Sequence, residues 1–386
     1  MTETLKAPAR RRARFNSLTV SEIRQLTDDA IEVAFAIPQE LQDDYNYVPG
    51  QYVALRATID GEEVRRSYSI CAEPVPGEIR VAIKRDFGGL FSTWAHETLK
   101  AGDTISVMNP QGAFTSRMHS TALNDPEAIV EAHENTGGHF VAIAAGSGIT
   151  PIMSIVATVL KSTDNTTIDL IYANRSAMDV MFAEELGDLK DKYPSRLSIH
   201  HVLSREQRIS PLMSGRIDEE KLDELLTNII PVDNAVEWFL CGPFELVQMT
   251  RDKLKERGVD DDAVRYELFT TGDPSDGPRG QRGRPVEVDP KGKNRTIEFS
   301  LDGLSSSVET PVAANESVLN AALRVRPDTP FACAGGVCGT CRAKVVTGTF
   351  EMDENYALES DEVEAGYVLT CQTRPTSDTL TVDFDA

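Results

Sequence analysis

Cysteine side chains mark the most chemically distinctive stretch of the sequence. Cys333, Cys338 and Cys341 fall within nine residues, and Cys371 follows after 29 intervening residues. A C-x4-C-x2-C spacing with a distant fourth cysteine is typical of a plant-type [2Fe–2S] cluster, whose irons are held by four thiolates. Glycines between the first three cysteines can adopt positive φ, which lets the backbone curl tightly around a cluster. We therefore predict that these four cysteines are metal ligands.

A structural zinc site is the main alternative for the same thiols. Zinc sites with four cysteines usually contain two well-separated CxxC pairs, whereas this region has one such pair, Cys338 and Cys341. A thioredoxin-like redox pair fits less well, because the pair lies in a glycine-rich loop with two further thiols nearby. The spacing favours iron–sulfur over zinc.

Length and charge limit what the whole chain can be. With 386 residues and a formal net charge of −22, the chain is expected to form two to three domains and not to bind nucleic acid. Residues 1–17 are basic but lack the apolar core of a secretory signal. Their arginines and scarcity of acidic residues would also suit a transit peptide, but the segment is short, which favours a disordered arm. No stretch approaches the ~18 consecutive apolar residues of a membrane helix. We expect a cytoplasmic protein with no membrane partner, whose thiols stay reduced.

Residues 18–118 are predicted to form a small antiparallel β-barrel, because short alternating runs are separated by turn signals such as Asp60-Gly61. One strand carries Arg66-Ser67-Tyr68-Ser69, in which Arg66 and Tyr68 share a face. Further on, residues 88–92 (Gly-Gly-Leu-Phe-Ser) open a helix, and the free N–H groups at a helix start suit a pyrophosphate. Together these two motifs favour a flavin dinucleotide.

Residues 119–272 are predicted to form an α/β domain. The run 140–145 is apolar on both faces, as a buried parallel strand must be. Alternating strands and helices follow, which predicts a parallel sheet with helices on both faces. Ligands bind such sheets beyond the carboxyl ends of the strands. Three loops fall there, at residues 146–151, 174–176 and 241–243, and together they argue for a nucleotide better than any one alone.

The remaining sequence divides into a linker and a last domain. Residues 273–293 are rich in glycine, proline and charged residues, which is typical of a linker. Residues 294–386 contain strand patterns, one helix and the cysteine loop. This last part has 15 Asp and Glu against 6 Lys and Arg, and such a charge either steers a basic partner or serves as a solvated acidic surface.

The order of these motifs resembles that of ferredoxin–NADP reductases fused to a C-terminal ferredoxin. R-x-Y-S, G-G-x-x-S, G-x-G-x-x-P and C-G-P come in that order before the plant-type cysteines, so the resemblance covers nearly all of the chain outside arm and linker. Segments 172–176, 202–206, 214–218 and 266–269 look most like the reductase subunits of phenylacetyl-CoA 1,2-epoxidases. The resemblance implies an FAD-binding β-barrel, an NAD(P)-binding parallel-sheet domain and a β-grasp [2Fe–2S] domain.

The resemblance also implies roles for individual residues. Arg66 would hold the FAD pyrophosphate, and Tyr68 would pack against the isoalloxazine. The Ser69 hydroxyl would lie near flavin N5 and Cys241 beside the hydride-donating carbon of the nicotinamide, which makes these two the candidate catalytic residues. Phe269 would cover the flavin until the nicotinamide displaces it. The candidate cofactor-binding residues are Arg66, Ser67, Tyr68, Ser69, Ala82, Ile83, Lys84, Gly88, Gly89, Phe91, Ser92, Gly146, Gly148, Thr150, Pro151, Arg175, Ser176, Cys241, Gly242, Pro243 and Phe269.

The resemblance places Arg175 and Ser176 at the 2′-phosphate of the nucleotide. A guanidinium beside a hydroxyl suits a dianionic phosphate, so we expect NADPH rather than NADH. The implied function is to pass electrons from NADPH through FAD and the [2Fe–2S] cluster to an oxygenase, with the di-iron subunits of a phenylacetyl-CoA epoxidase as the expected partner. The alternatives are the reductase of a steroid 9α-hydroxylase or of another ring-hydroxylating oxygenase, a reductase acting alone on small acceptors, and a zinc-stabilised interaction module.

Overall fold

A computed structural model describes residues 13–86, 88–116, 138–230, 232–269, 292–326, 329–331, 335–358 and 360–386. Most of the predicted arm and linker, the predicted domain boundary at residue 118, and Cys333 lie outside these residues. The described chain divides into two compact units. The first holds residues 15–55 and 68–269, and the second holds residues 13–14, 56–67 and 292–386, within the described ranges.

The first sheet is antiparallel and has six strands in the order β4-β3-β6-β1-β2-β5. Ile70 forms a bridge with Val81 of β5, so the residues that follow β4 return to the opposite edge, as a barrel requires. Strand β1 begins within the segment predicted as an arm, because residues 15–17 pair with residues 106–108. The elements of this region are β1 (Phe15–Thr27), β2 (Ala30–Ala36), α1 (Gln42–Tyr45), β3 (Tyr52–Ile59), β4 (Glu62–Ser69), β5 (Glu78–Lys84), α2 (Leu90–Glu97) and β6 (Thr104–Met108).

The second sheet has five parallel strands in the order β11-β10-β7-β8-β9. Strand β7 is buried on both faces over Phe140 to Ala144, which agrees with the apolar run in the sequence. Because all five strands are parallel, their carboxyl ends lie at the same edge of the sheet. A helix follows each of the first four strands in chain order. These elements are β7 (His139–Ala145), α3 (Ile149–Ser162), β8 (Thr167–Asn174), α4 (Ala183–Lys192), β9 (Leu197–Leu203), α5 (Glu219–Asn228), β10 (Ala235–Gly242), α6 (Phe244–Glu256) and β11 (Val264–Leu268).

The third sheet is mixed, with the order β13-β12-β18-β14-β16, and one parallel pair, β12 with β18, lies among its described strands. Helix α7 packs its apolar face onto this sheet, where Val318, Ala321 and Ala322 share a core with Phe299 and Val382. The elements are β12 (Asn294–Leu301), β13 (Leu304–Pro311), α7 (Val318–Val325), β14 (Arg342–Thr347), β15 (Phe350–Met352), α8 (Ser360–Glu364), β16 (Tyr367–Leu369), β17 (Thr373–Pro375) and β18 (Thr379–Asp383). Among the described helices, none has the length and apolar character needed to span a bilayer.

Candidate functional site

Ser69, at the end of strand β4, lies against the edge strand of the parallel sheet. Its hydroxyl donates a hydrogen bond of 2.9 Å to the Glu267 carboxylate of β11, and only 4% of Ser69 is exposed. Glu267 stands in register with Cys241 on the neighbouring strand β10. Cys241 is fully buried, and burial, together with the nearby Glu267 carboxylate, raises the pKa of its thiol well above the ordinary value. The structure therefore brings the two candidate catalytic residues together through Glu267, and Cys241 is held as a neutral thiol.

Glu267 was not among the residues singled out in the sequence. It lies within the segment Tyr266–Phe269, which carried part of the family resemblance, but nothing in a strand pattern marks one glutamate as functional. Its contact with Ser69 joins positions 198 residues apart, and a local pattern cannot reveal such a pairing.

The neighbouring residues of strand β4 alternate between two environments. Arg65 is buried and forms an ion pair of 2.6 Å with Glu63. Arg66 points the other way, is exposed, and forms no ion pair with any carboxylate among the described residues. The Ser67 hydroxyl is enclosed and finds no hydrogen-bond partner in the same set of residues. An exposed guanidinium beside an orphaned buried hydroxyl fits a bound polar group, as the predicted flavin site requires.

Helix α2 supplies the other predicted flavin residues. Its Phe91 is buried and packs against the Tyr68 ring, with the centroids 5.8 Å apart. Gly89 caps the helix, and a Cβ at this position would lie 2.8 Å from the Ser92 hydroxyl. Gly88 before it has φ of +81°, which glycine adopts without strain. The start of α2 thus needs both glycines.

Strand β5 contributes the remaining flavin candidates. Ala82 and Ile83 are buried, and the Ile83 carbonyl lies 3.0 Å from Nε2 of His96 on α2. The Lys84 ammonium is half-buried and lies 3.6 Å from Asp29, in the turn between β1 and β2. Strand β5 therefore contacts helix α2 through Ile83 and the turn between β1 and β2 through Lys84.

The loop after β7 approaches the loop after β10 without intervening side chains. A Cβ on Gly148 would lie 2.1 Å from the Cys241 carbonyl oxygen, so no side chain fits there. Gly146 has φ of +54°, and a Cβ built on it would meet nothing within 4 Å. Its carbonyl accepts a hydrogen bond of 3.1 Å from the buried Tyr172. The open side of Gly146 is compatible with close approach of a nucleotide.

Helix α3 begins directly after these glycines. Thr150 is buried, and its hydroxyl donates to the Ser147 carbonyl at 3.0 Å. Pro151 occupies the first helical turn, where its missing N–H costs nothing. At the other loop Gly242 packs against Ala145, and Pro243 precedes α6. Phe269 follows β11 and is 37% exposed.

Arg175 and Ser176 lie after β8, and both are engaged by carboxylates. Arg175 Nη2 lies 2.9 Å from Asp179 and 3.1 Å from Asp29. The Ser176 hydroxyl donates to Asp179 at 2.5 Å. Burial raises the pKa of Asp179, but the bond from Ser176 and the charges of Arg175 and Lys84 outweigh it and hold that pKa below its usual value. A phosphate at this position would have to compete with two carboxylates.

The second unit contains the described cysteines of the predicted cluster. Cys341 and Cys371 are buried in one apolar cluster, and Cys338 is half-buried. The Thr370 backbone and side chain both donate to the Cys341 carbonyl, at 3.1 and 2.8 Å. Gly336 and Gly339 adopt positive φ, as predicted for a tightly curled loop. Among the described residues no three metal-ligating side chains converge, and the fourth candidate, Cys333, is outside them.

Three protein families match consecutive parts of the chain. An oxidoreductase FAD-binding domain matches residues 17–116, an oxidoreductase NAD-binding domain matches residues 142–252, and a 2Fe-2S iron-sulfur cluster binding domain matches residues 302–376. The chain is similar over its length to the solved phthalate dioxygenase reductase, with a TM-score of 0.55 and 22% identity over 96% of this chain and 98% of that one. That likeness indicates the same three-part fold.

Curated relatives share more of the sequence. The chain is 43% identical to a component of the 1,2-phenylacetyl-CoA epoxidase of Escherichia coli K12, over 96% of this chain and 98% of that protein. It is 32% identical to the ferredoxin reductase component of the 3-ketosteroid-9-alpha-monooxygenase of Rhodococcus rhodochrous, over 95% and 96%. The chain therefore belongs to the family of oxygenase reductases in which a ferredoxin–NADP reductase, with FAD- and NAD-binding domains, is fused to a C-terminal [2Fe–2S] ferredoxin domain.

Proposed function

We propose that this oxidoreductase takes electrons from NADPH and delivers them to the di-iron subunits of a phenylacetyl-CoA epoxidase in phenylacetate degradation. The choice of oxygenase is supported by the 43% identity with the Escherichia coli protein. When bound, FAD accepts a hydride and releases its electrons singly, and the cluster carries one electron at a time. We assign FAD binding to residues 18–118, nucleotide binding to 119–272 and the cluster to 294–386, and we place the protein in the cytoplasm. Residues 273–293 are assigned as a linker and residues 1–17 as an N-terminal arm, whose last three residues belong to strand β1.

The hydrogen bond between Ser69 and Glu267 is the observation that carries the proposal. A hydroxyl beside flavin N5 can hold or release a proton there, and the Glu267 carboxylate can receive it. The buried, neutral Cys241 thiol presents a small, uncharged surface beside the nicotinamide. Arg66 would bind the pyrophosphate and the Ser67 hydroxyl would find its partner on the flavin nucleotide.

Cys333, Cys338, Cys341 and Cys371 are the proposed cluster ligands. The thiolates of Cys341 and Cys371 would be enclosed by the apolar residues of their cluster, and limited water access is one of the factors that set the potential of an iron–sulfur cluster. The Gln372 amide, 3.6 Å from the Cys371 sulfur, is a donor in position to hydrogen-bond that thiolate.

Reconstitution tests the identity of the partner. The purified holoprotein is combined with the oxygenase subunits of a phenylacetyl-CoA epoxidase, and NADPH-dependent epoxidation is measured by product formation. The matched arm uses the oxygenase component of a 3-ketosteroid 9α-hydroxylase, the second candidate by sequence similarity. We expect turnover only in the first arm. Turnover only in the second would assign the protein to steroid hydroxylation.

The Cys341→Ser variant tests the electron path. It should still reduce ferricyanide with NADPH, since that reaction needs only the flavin, but it should no longer support epoxidation. If epoxidation persisted in a variant that contains no iron, the flavin would be acting alone and the role assigned to the cluster would be wrong.

A further inference from the structure

Asp29 extends from the barrel to the place assigned to the nucleotide's 2′-phosphate. It lies in the turn between β1 and β2, and its carboxylate approaches Nη2 of Arg175 to 3.1 Å. The turn is fixed, because Thr27 donates to the same carboxylate at 2.9 Å and the Arg85 amide donates to the Asp29 carbonyl at 2.6 Å. Lys84 holds the carboxylate from a third side at 3.6 Å. Asp29 is therefore a positioned charge.

This placement matters for the choice between two nucleotides. The 2′-phosphate of NADPH carries about two negative charges at neutral pH and seeks the guanidinium of Arg175, whose Nη2 atom is shared by Asp29 and Asp179. The ribose of NADH offers a hydroxyl instead, and carboxylates accept hydrogen bonds from that group. The Asp29 carboxylate therefore disfavours binding of the 2′-phosphate but not binding of the 2′-hydroxyl.

We propose that Asp29 is a specificity-determining residue. Its carboxylate, on the barrel, competes with the 2′-phosphate for Arg175 and therefore lowers the affinity for NADPH relative to the affinity for NADH. The inference rests on the proposed assignment of Arg175 and Ser176 to the 2′-phosphate. Asp179 differs from Asp29 because it also accepts the Ser176 hydroxyl, so its removal would change the loop itself. Asp29 acts on Arg175 without contacting Ser176 in any hydrogen bond described for the two residues.

Calorimetric titration of the full-length holoprotein separates the two effects. The probes are adenosine 2′,5′-bisphosphate, which carries the 2′-phosphate, and 5′-AMP, which lacks it. Asp29→Asn removes the charge while keeping the size. Repulsion between two like charges a few ångströms apart in a partly exposed site corresponds to about a tenfold effect on binding. We therefore expect the variant to bind the bisphosphate about tenfold more tightly and 5′-AMP as before.

Asp28→Asn is the matched control, because Asp28 is an exposed residue of the same turn and its removal changes the net charge equally. It should leave both affinities unchanged. As a second readout, the kcat/KM ratio of NADPH to NADH with ferricyanide as acceptor should rise in Asp29→Asn and stay constant in Asp28→Asn. Asp29→Ala must change both readouts in the same direction as Asp29→Asn.

Unchanged or weakened binding of the bisphosphate by Asp29→Asn overturns the inference. A different result bears on the proposed nucleotide, namely equal affinity of the wild type for the two probes together with no effect of Arg175→Ala on either. That result overturns the assignment of Arg175 to the 2′-phosphate and the inference with it. If Arg175→Ala weakens binding of the bisphosphate while Asp29→Asn does not strengthen it, the inference about Asp29 alone is overturned.

Discussion

Ser69 Oγ and Glu267 Oε2 are 2.9 Å apart, and this contact links the end of a barrel strand to the edge strand of the parallel sheet. Glu267 is at the same time in register with the buried Cys241. The three side chains come from separate strands, so each depends on the correct packing of the other two. Variants at this contact therefore test the proposed roles of Ser69 and Cys241 in hydride transfer.

Replacing Ser69 with alanine should slow reduction of the flavin by NADPH about 100-fold, because the hydroxyl would orient flavin N5 for hydride transfer and a small misplacement has an effect of about this size. Glu267→Gln keeps a hydrogen-bond acceptor for Ser69 but loses the charge, so it should be slowed less. Stopped-flow absorbance of the flavin measures both rates. Ser21→Ala, at an exposed position of β1, is the control. A Ser69→Ala variant that retains FAD and is reduced at the wild-type rate would contradict the proposed role.

Arg66 should contribute to flavin affinity through its charge and through bidentate hydrogen bonding by its guanidinium group. Loss of a charge-assisted hydrogen bond costs about 1.5–3 kcal/mol, so Arg66→Ala should weaken FAD binding about 10- to 100-fold. Arg66→Lys keeps the charge without the planar fork and should fall between alanine and wild type. Fluorescence titration of the apoprotein with FAD gives the affinities. Equal affinities for all three proteins would remove Arg66 from the flavin site.

The close approach of Gly148 to the Cys241 carbonyl predicts a large effect of one added carbon. Gly148→Ala would place a Cβ 2.1 Å from that oxygen, so the two loops must separate, and we expect a loss of about 2–3 kcal/mol of unfolding free energy together with weaker nucleotide binding. Gly187→Ala is the control, because this exposed glycine of α4 has free space around its Cβ position. It should stabilise the protein by about 0.5–1 kcal/mol. Chemical denaturation followed by circular dichroism compares the two, and a neutral Gly148→Ala would show that the loops are less tightly apposed.

The lowered pKa of Asp169 predicts how the stability of the fold depends on pH. Burial raises the pKa of Asp169, but the imidazoles of His139 and His200, whose Nε2 atoms lie 3.1 and 3.3 Å from the carboxylate, outweigh burial and hold the pKa below its usual value. A carboxylate with a lowered folded-state pKa stabilises the fold above its unfolded pKa of about 4 and loses that contribution as the pH falls further. Asp169→Asn should therefore cost about 1–3 kcal/mol at neutral pH and progressively less below pH of about 4. Denaturation of both proteins at neutral pH and below pH of about 4 measures this difference in unfolding free energy. A destabilisation by Asp169→Asn that grew on acidification would contradict the prediction.

The cluster ligands can be tested without reference to electron transfer. Cys371→Ser should lose iron and acid-labile sulfide while retaining FAD, because the flavin residues lie elsewhere in the sequence. Cys71→Ala is the matched control, since Cys71 is a buried barrel cysteine that contacts Glu32 and the Arg80 carbonyl. Iron and sulfide analysis distinguishes the variants. Full iron content in Cys371→Ser would require a different fourth ligand.

Local patterns in the sequence account for much of the fold. The apolar run before Gly146 became β7, and the helix after it includes Pro151 in its first turn, because strand burial and proline geometry act over a few residues. Element ends were less predictable. Helix α3 extends from Ile149 to Ser162, and the ends of such a helix are set by turns and tertiary contacts.

Contacts between distant residues could not be predicted in the same way. The family resemblance implied that Arg175 binds a nucleotide phosphate, but it gave no indication of the contact with Asp29, which comes from a turn 146 positions away. Glu267 is likewise a candidate site residue only because it accepts a hydrogen bond from the distant Ser69. Such pairs depend on how sheets and turns pack, and that information is spread over the entire core.

Anaerobic titration of the purified holoprotein with NADPH, followed by electron paramagnetic resonance, tests the central claim most directly. The account predicts two irons and two sulfides per chain and the signal of a reduced [2Fe–2S] cluster that grows as NADPH is consumed and is absent from Cys341→Ser. A protein whose flavin is reduced by NADPH while its iron stays oxidised, or which binds no iron and sulfide, would contradict the account.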